Sequence, residues 1–110
     1  MARLTVGDFE YLLLLALLRL GDDAYGVSIA REVEARTGRT VSPGAVYTAL
    51  DRLERRRFVE SWLGEPTPQR GGRRKRHYRL AATGRLAVEQ RLALLADMAR
   101  GLAIDRGATP

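Results

Sequence analysis

Apolar side chains recur along this chain first with a helical period, then with an alternating one, and then helically again. Phe9, Leu13, Ala16, Leu17 and Leu20 mark one face of a first helix, predicted from about Val6 to Leu20, with Thr5 and Asp8 at capping-box spacing before it. Leu12, Leu14, Leu15 and Leu18 fill the remaining faces. A helix apolar nearly all round is expected to meet a second subunit as well as its own core. Gly21-Asp22-Asp23 then reads as a turn. A second helix follows from about Tyr25 to Arg36, with Val27, Ile29, Ala30 and Val33 inward and Gly38 as its C-terminal stop.

Ser42-Pro43 is a helix start, because the hydroxyl caps free backbone N–H groups and proline in the first turn needs no donor. The third helix runs from Pro43 to about Arg56 and turns Val46, Leu50 and Leu53 inward. Phe58 to Leu63 alternates like a strand, and His77 to Leu80 reads as its return partner. Between them, Gly64 to Arg76 contains Pro66, Pro68, Gly71 and Gly72, the composition of a long hairpin loop. A fourth helix, Ala82 to about Leu102, carries Val88, Leu92, Leu95, Ala99 and Leu102 at spacings of four, three, four and three, a heptad seam suited to another helix.

The expected fold is therefore mostly α with a small β-hairpin, a winged helix-turn-helix followed by a C-terminal dimerisation helix. The expected division is 1–80 for the DNA-binding body, 81–104 for the dimer helix and 105–110 for a flexible tail. Leu14 and Leu18 of the first helix join Val88, Leu92, Leu95, Ala99 and Leu102 as candidate dimer-interface residues.

Charge turns this architecture toward a polyanion. The chain has 110 residues and a net charge of +6. Between Arg52 and Arg79 lie ten basic residues against three acids, so this segment carries the whole excess. Four of the ten form the run Arg73, Arg74, Lys75, Arg76 at the end of the hairpin loop. In a winged helix the third helix enters the major groove and the wing follows the adjacent backbone. Ser42, Gly44, Tyr47, Thr48 and Arg52 are then candidates for the reading helix's DNA contacts, beside Ala45 and Asp51 on the same face. The four wing cations supply the sequence-independent attraction to phosphate. One protomer offers one reading head, so a dimer on a palindromic double-stranded operator is expected. The alternative is a winged-helix protein-interaction or non-specific nucleic-acid module without an operator.

Other chemistry is sparse. Without cysteine there is no disulfide, thiol catalysis or thiolate metal site, and the single histidine, His77, has no histidine partner for a metal. It stands among cations, a poor setting for a general base, and is expected to face solvent or DNA. No Gly-rich phosphate loop links a strand to a helix. Neither catalysis nor a cofactor is expected. The longest apolar run, Tyr11 to Leu18, is eight residues long, against roughly 20 needed to span a bilayer. Acids precede the run, unlike an export signal, so a cytoplasmic protein with no membrane partner is expected. Phe9, Tyr11, Trp62 and Met98 are candidates for an apolar effector pocket at a dimer interface.

Several of these segments together carry a family resemblance. Asp23-Ala24-Tyr25-Gly26, Ser42-Pro43-Gly44-Ala45-Val46-Tyr47 and Leu50-Asp51-Arg52-Leu53-Glu54, followed by Gly72 to Leu80 and Thr83-Gly84, resemble the PadR family of bacterial transcriptional regulators over roughly residues 4 to 100. The single short C-terminal helix is similar to that family's compact subgroup. The resemblance implies a repressor dimerised through the first and last helices and released from its operator by a small molecule or other signal. Two positions depart from the family pattern. Arg57 stands where a glycine usually ends the recognition helix, and Ala81 stands where a threonine commonly caps the last one.

Overall fold

The computed structural model describes residues 6–66 and 73–104. Four helices and a two-stranded hairpin follow one another as α1 (Asp8–Leu20), α2 (Gly26–Thr37), α3 (Pro43–Arg55), β1 (Val59–Leu63), β2 (Arg76–Leu80) and α4 (Ala82–Ala99), with one 3-10 turn, Gly21–Asp23, between α1 and α2. This is a winged helix-turn-helix of mostly α character.

Helix α1 begins at Asp8, later than the apolar periodicity suggests. Its cap is local to Gly7, whose amide donates to the Glu10 carboxylate at 2.9 Å. Thr5 lies outside the described residues. Helix α2 begins after Tyr25, which stays extended (φ −136°, ψ 171°) and donates its amide to Ser28 Oγ at 2.9 Å. Gly38, at φ 73°, ends it as predicted. Val27 was expected inward but is exposed, so the buried face of α2 is Ile29, Ala30 and Val33.

Those three residues meet Leu13, Leu14 and Leu17 of α1, Val46, Ala49, Leu50 and Leu53 of α3, and Phe58, Val59 and Tyr78 beside them in one core. No polar side chain is fully buried among the described residues. Burial of this kind contributes about 1.5–3 kcal/mol for each large aliphatic side chain. It fixes α3 against α1 and α2 without any internal ion pair.

The last turn of α3 closes in a Schellman arrangement. The Arg57 amide donates to the Glu54 carbonyl and the Phe58 amide to the Leu53 carbonyl, both at 2.9 Å, with Leu53 and Phe58 buried together. Arg57 takes the left-handed conformation, φ 65°, that the geometry demands of it. Without glycine there, this costs roughly 1 kcal/mol. The departure at Ala81 is likewise visible, since it is the N-cap of α4 and offers no side-chain cap.

Strands β1 and β2 pair antiparallel with Val59 opposite Leu80 and Trp62 opposite His77. Arg76 belongs to β2 rather than to the loop. The loop residues 67–72, with Pro68, Arg70, Gly71 and Gly72, lie outside the described residues, as does the expected tail from 105 on.

Helix α4 stops at Ala99, so Leu102 lies beyond it. Gly84, Ala87 and Val88 are buried, while Leu92, Leu95, Met98 and Leu102 are 52%, 53%, 72% and 59% exposed. Two expected interface residues are therefore corrected. Leu14 (0% exposed) and Val88 (4%) lie within the protomer's own core, leaving nothing for a partner to cover. Leu18, Leu92, Leu95, Ala99 and Leu102 remain available. Among the described residues, no helix is long and apolar enough to cross a membrane.

Candidate nucleic-acid interface

Helix α3 is positioned from both ends. At its start, Ser42 Oγ accepts from the Ala45 amide at 3.1 Å, and Pro43 occupies the first turn. The turn before it is closed by Glu34, whose carboxylate accepts from the Val41 amide at 2.7 Å. With Val46, Ala49, Leu50 and Leu53 in the core, the opposite face is Gly44, Ala45, Tyr47, Thr48, Asp51 and Arg52, and all six are exposed. The sequence pattern places this face correctly.

The side chains on that face are not idle. Asp51 pairs with Arg55, one turn on. Arg52 Nε lies 3.5 Å from Glu10 at the start of α1, an exposed contact of little energetic weight that nonetheless gives the guanidinium a preferred direction. Thr48 donates its hydroxyl to the Gly44 carbonyl at 3.0 Å, so donation to a phosphate would require that bond to break. Tyr47 is 39% exposed, and its ring lies directly over Gly26. A Cβ at position 26 would sit 2.2 Å from the ring's Cζ, so glycine is required where α2 begins.

Tyr47 also meets Tyr78 of β2, with ring centroids 6.4 Å apart. Burial, reinforced by Tyr47, pushes the Tyr78 phenol above its usual value of 10.0. Tyr78 is therefore a neutral floor between α3 and the hairpin.

The hairpin is tied to the end of α3 by a polar chain that the sequence did not announce. Arg76 Nη1 donates to Ser61 Oγ at 3.0 Å, and Ser61 donates to Glu54 at 2.7 Å. Glu54 was visible only as part of the Leu50-to-Glu54 motif, and Ser61 only as one residue of an alternating strand. Nothing in their spacing pairs them.

The other wing cations are exposed as expected, and two of them have local partners. Arg74 Nε donates to the Gly64 carbonyl at 3.1 Å, and the Lys75 ammonium lies 4.2 Å from the centre of the Tyr25 ring. Arg73 is exposed at the edge of the described residues. His77 does not face open solvent. It lies half-buried between Trp62 and Tyr25, with ring centroids 5.6 Å from each.

The four residues expected to form an effector pocket do not come together in the protomer. Trp62 is on the wing beside His77 and Arg79. Phe9 packs against the core, and Met98 is exposed near the end of α4. Only Tyr11 lines an apolar groove, which it shares with Leu12 and Leu15 of α1 and Val88, Leu92 and Leu95 of α4. Arg91 covers the Tyr11 ring at 4.2 Å. The sequence grouped aromatic residues by type, whereas strand alternation sends Trp62 to the hairpin face that carries His77 and Arg79. No cluster of three or more His, Cys, Asp or Glu side chains suited to a metal occurs among the described residues.

The profile of the transcriptional regulator PadR-like family matches residues 14–90, a span that contains α2, α3, both strands and most of α1. No relative among curated proteins matches the chain. Among solved structures, a PadR family transcription regulator from Clostridium difficile is 26% identical, with a TM-score of 0.63 over 83% of this chain and 94% of that one. RosR of H. salinarum is 25% identical, with a TM-score of 0.70 over 87% of this chain and 79% of that one. A complex structure of hsRosR-S4 is 26% identical, with a TM-score of 0.68 over 87% of this chain and 76% of that one.

Proposed function

The chain belongs to the PadR-like family of transcriptional regulators, and from that membership we propose that it is a homodimeric repressor of a palindromic operator, released by a small molecule or another signal. The observation that carries this reading is the Arg76–Ser61–Glu54 chain. It ties the basic wing to the end of α3, and in this reading phosphate attraction and base reading then act from a fixed relative position. Thr48 and Arg52 are the side chains best sited for base edges or adjacent phosphates, with Ser42, Gly44 and Tyr47 allowing and lining the close approach. Arg73, Arg74, Lys75 and Arg76 supply the salt-sensitive attraction.

Dimerisation is supported by the second half of α4, where the apolar side chains lie in water in a single protomer. In this reading the C-terminal segment 81–104, which contains α4, pairs two winged-helix bodies of residues 1–80, with Leu18 of α1 alongside. Two reading heads would then meet half-sites about one helical turn, roughly 34 Å, apart. A protein of this kind works in the cytoplasm, where its DNA is.

The test is binding of the purified protein to genomic fragments, including those flanking its own gene, at several salt concentrations with excess nonspecific competitor. The expected result is a protected near-palindrome occupied by two protomers. Equal, competitor-sensitive binding to every fragment would reduce the protein to a nonspecific basic module. Absence of binding would direct the search to a protein partner.

A further inference from the structure

A two-stranded hairpin is marginal by itself in water, so something must hold this wing at a definite angle. On the inner face the holding is by burial, through Val59 and Tyr78. On the edge, the segment before α2 acts as a third strand, with the Tyr78 amide donating to the Ala24 carbonyl at 2.9 Å and Tyr25 bridged to His77. Three rings consequently line up across the outer face in the order Tyr25, His77, Trp62. Their neighbouring centroids are 5.6 Å apart on both sides of His77, and Trp62 is stacked at 22° to it.

The middle ring also controls the backbone from which the wing tip departs. His77 Nδ1 lies 3.0 Å from the Lys75 carbonyl, which can only accept, so the contact requires a proton on Nδ1. The same carbonyl takes the Gly64 amide at 2.8 Å. A Cβ at Gly64 would come within 2.7 Å of His77 Cε1, so the imidazole is enclosed on that side too. The root of the basic run is thus fixed from within, through a residue that carries none of its charge.

We propose that this three-ring row is a second clamp on the wing, acting on the outer face where the Arg76–Ser61–Glu54 chain acts on the inner one, and that His77 is its positioning residue. The inference rests on the DNA-binding reading above. Phosphates neutralised together release their counterions together, and the steepness of the salt dependence counts how many. A clamped root presents its cations as one set matched to the duplex. Without the ring, the inner-face core still holds the hairpin folded, but the cations no longer meet the backbone in register.

The experiment measures duplex affinity against salt concentration for the wild-type chain and for His77→Ala, His77→Phe and Trp62→Leu. Expected for His77→Ala is a log–log slope shallower by about one to two, at roughly 0.9 for each phosphate no longer neutralised, while thermal stability falls only slightly. His77→Phe keeps a flat ring between Tyr25 and Trp62 but loses the Nδ1–H donor to the Lys75 carbonyl, and its slope is expected to fall between wild type and alanine. A His77→Ala slope equal to wild type would overturn the clamp, as would a His77→Phe slope as shallow as that of alanine. If His77→Ala does not fold, Trp62→Leu decides in its place, a shallower slope supporting the clamp and an unchanged one overturning it. A wild-type chain with no salt dependence would instead defeat the DNA-binding reading itself, and is distinguishable because it needs no variant.

Discussion

Helices α3 and α4 both leave a face uncovered, and the two faces differ in chemistry. In α3 the apolar side, Val46, Ala49, Leu50 and Leu53, is at most 1% exposed, and apart from the Tyr47 ring what remains outside is small, polar or charged. Water solvates that face at no cost. In α4 only the first turns are covered, and from Leu92 onward leucines and a methionine stand largely in water. The fold completes α3 and leaves α4 unfinished. A polar uncovered face suits a wet, charged partner such as a nucleic acid, whereas exposed leucines in series suit an apolar partner.

The largest effect is expected from attacking α4. Leu92→Asp combined with Leu95→Asp should yield a folded monomer by sedimentation equilibrium, since each buried leucine is worth about 1.5–3 kcal/mol and each is used twice in a symmetric pair. Operator affinity should fall by at least about 100-fold as the second reading head is lost. Unchanged dimerisation would break the comparison at α4. Next comes the α3 side. Neutralising the wing residues Arg73 and Arg74, which act beside α3, should leave the proposed dimer intact, weaken binding to all sequences alike and lower the salt slope by about two per protomer.

Thr48→Ala should instead act on discrimination, lowering the preference for the operator over a mutated site by about 1 kcal/mol while leaving the slope alone. Its readout is the ratio of affinities for the two duplexes.

Smaller effects separate the ends of the two helices. Arg57→Gly relieves the left-handed strain after α3, and Ala81→Ser supplies the missing cap before α4. Each should raise stability by about 1 kcal/mol in urea unfolding. Tyr78, between α3 and the wing, gives the smallest effect. Because burial raises its folded-state pKa, the native chain holds this proton more tightly than the unfolded one. Its contribution is complete below the usual value of 10.0 and declines as pH rises through the raised folded value. Tyr78→Phe should remove that part of the alkaline loss of stability.

Much of this could be read in advance because it depends on local spacing. Val46, Leu50 and Leu53 at intervals of four and three specify which way α3 faces, and with it the exposed positions Thr48 and Arg52. Ser42-Pro43 and Gly38 mark helix ends because capping is decided within four residues. Arg57 and Ala81 stood out only as departures from the pattern of the family that the chain resembles. Errors arose where a residue's environment comes from elsewhere in the chain. Leu14 and Val88 have the spacing of interface residues, but whether a leucine stripe covers its own core or a partner depends on which helices already lie against it.

The sequence by itself therefore determined the order of elements, the faces of the helices and the concentration of positive charge near the hairpin, all properties of short segments with a fixed backbone period. Only the tertiary structure decided that Tyr47 rests on Gly26, that Glu54 reaches Arg76 through Ser61, and that His77 lies between Tyr25 and Trp62. Each of those contacts joins residues from different parts of the chain. Their distances are set by how the core packs, and no spacing along the chain encodes them.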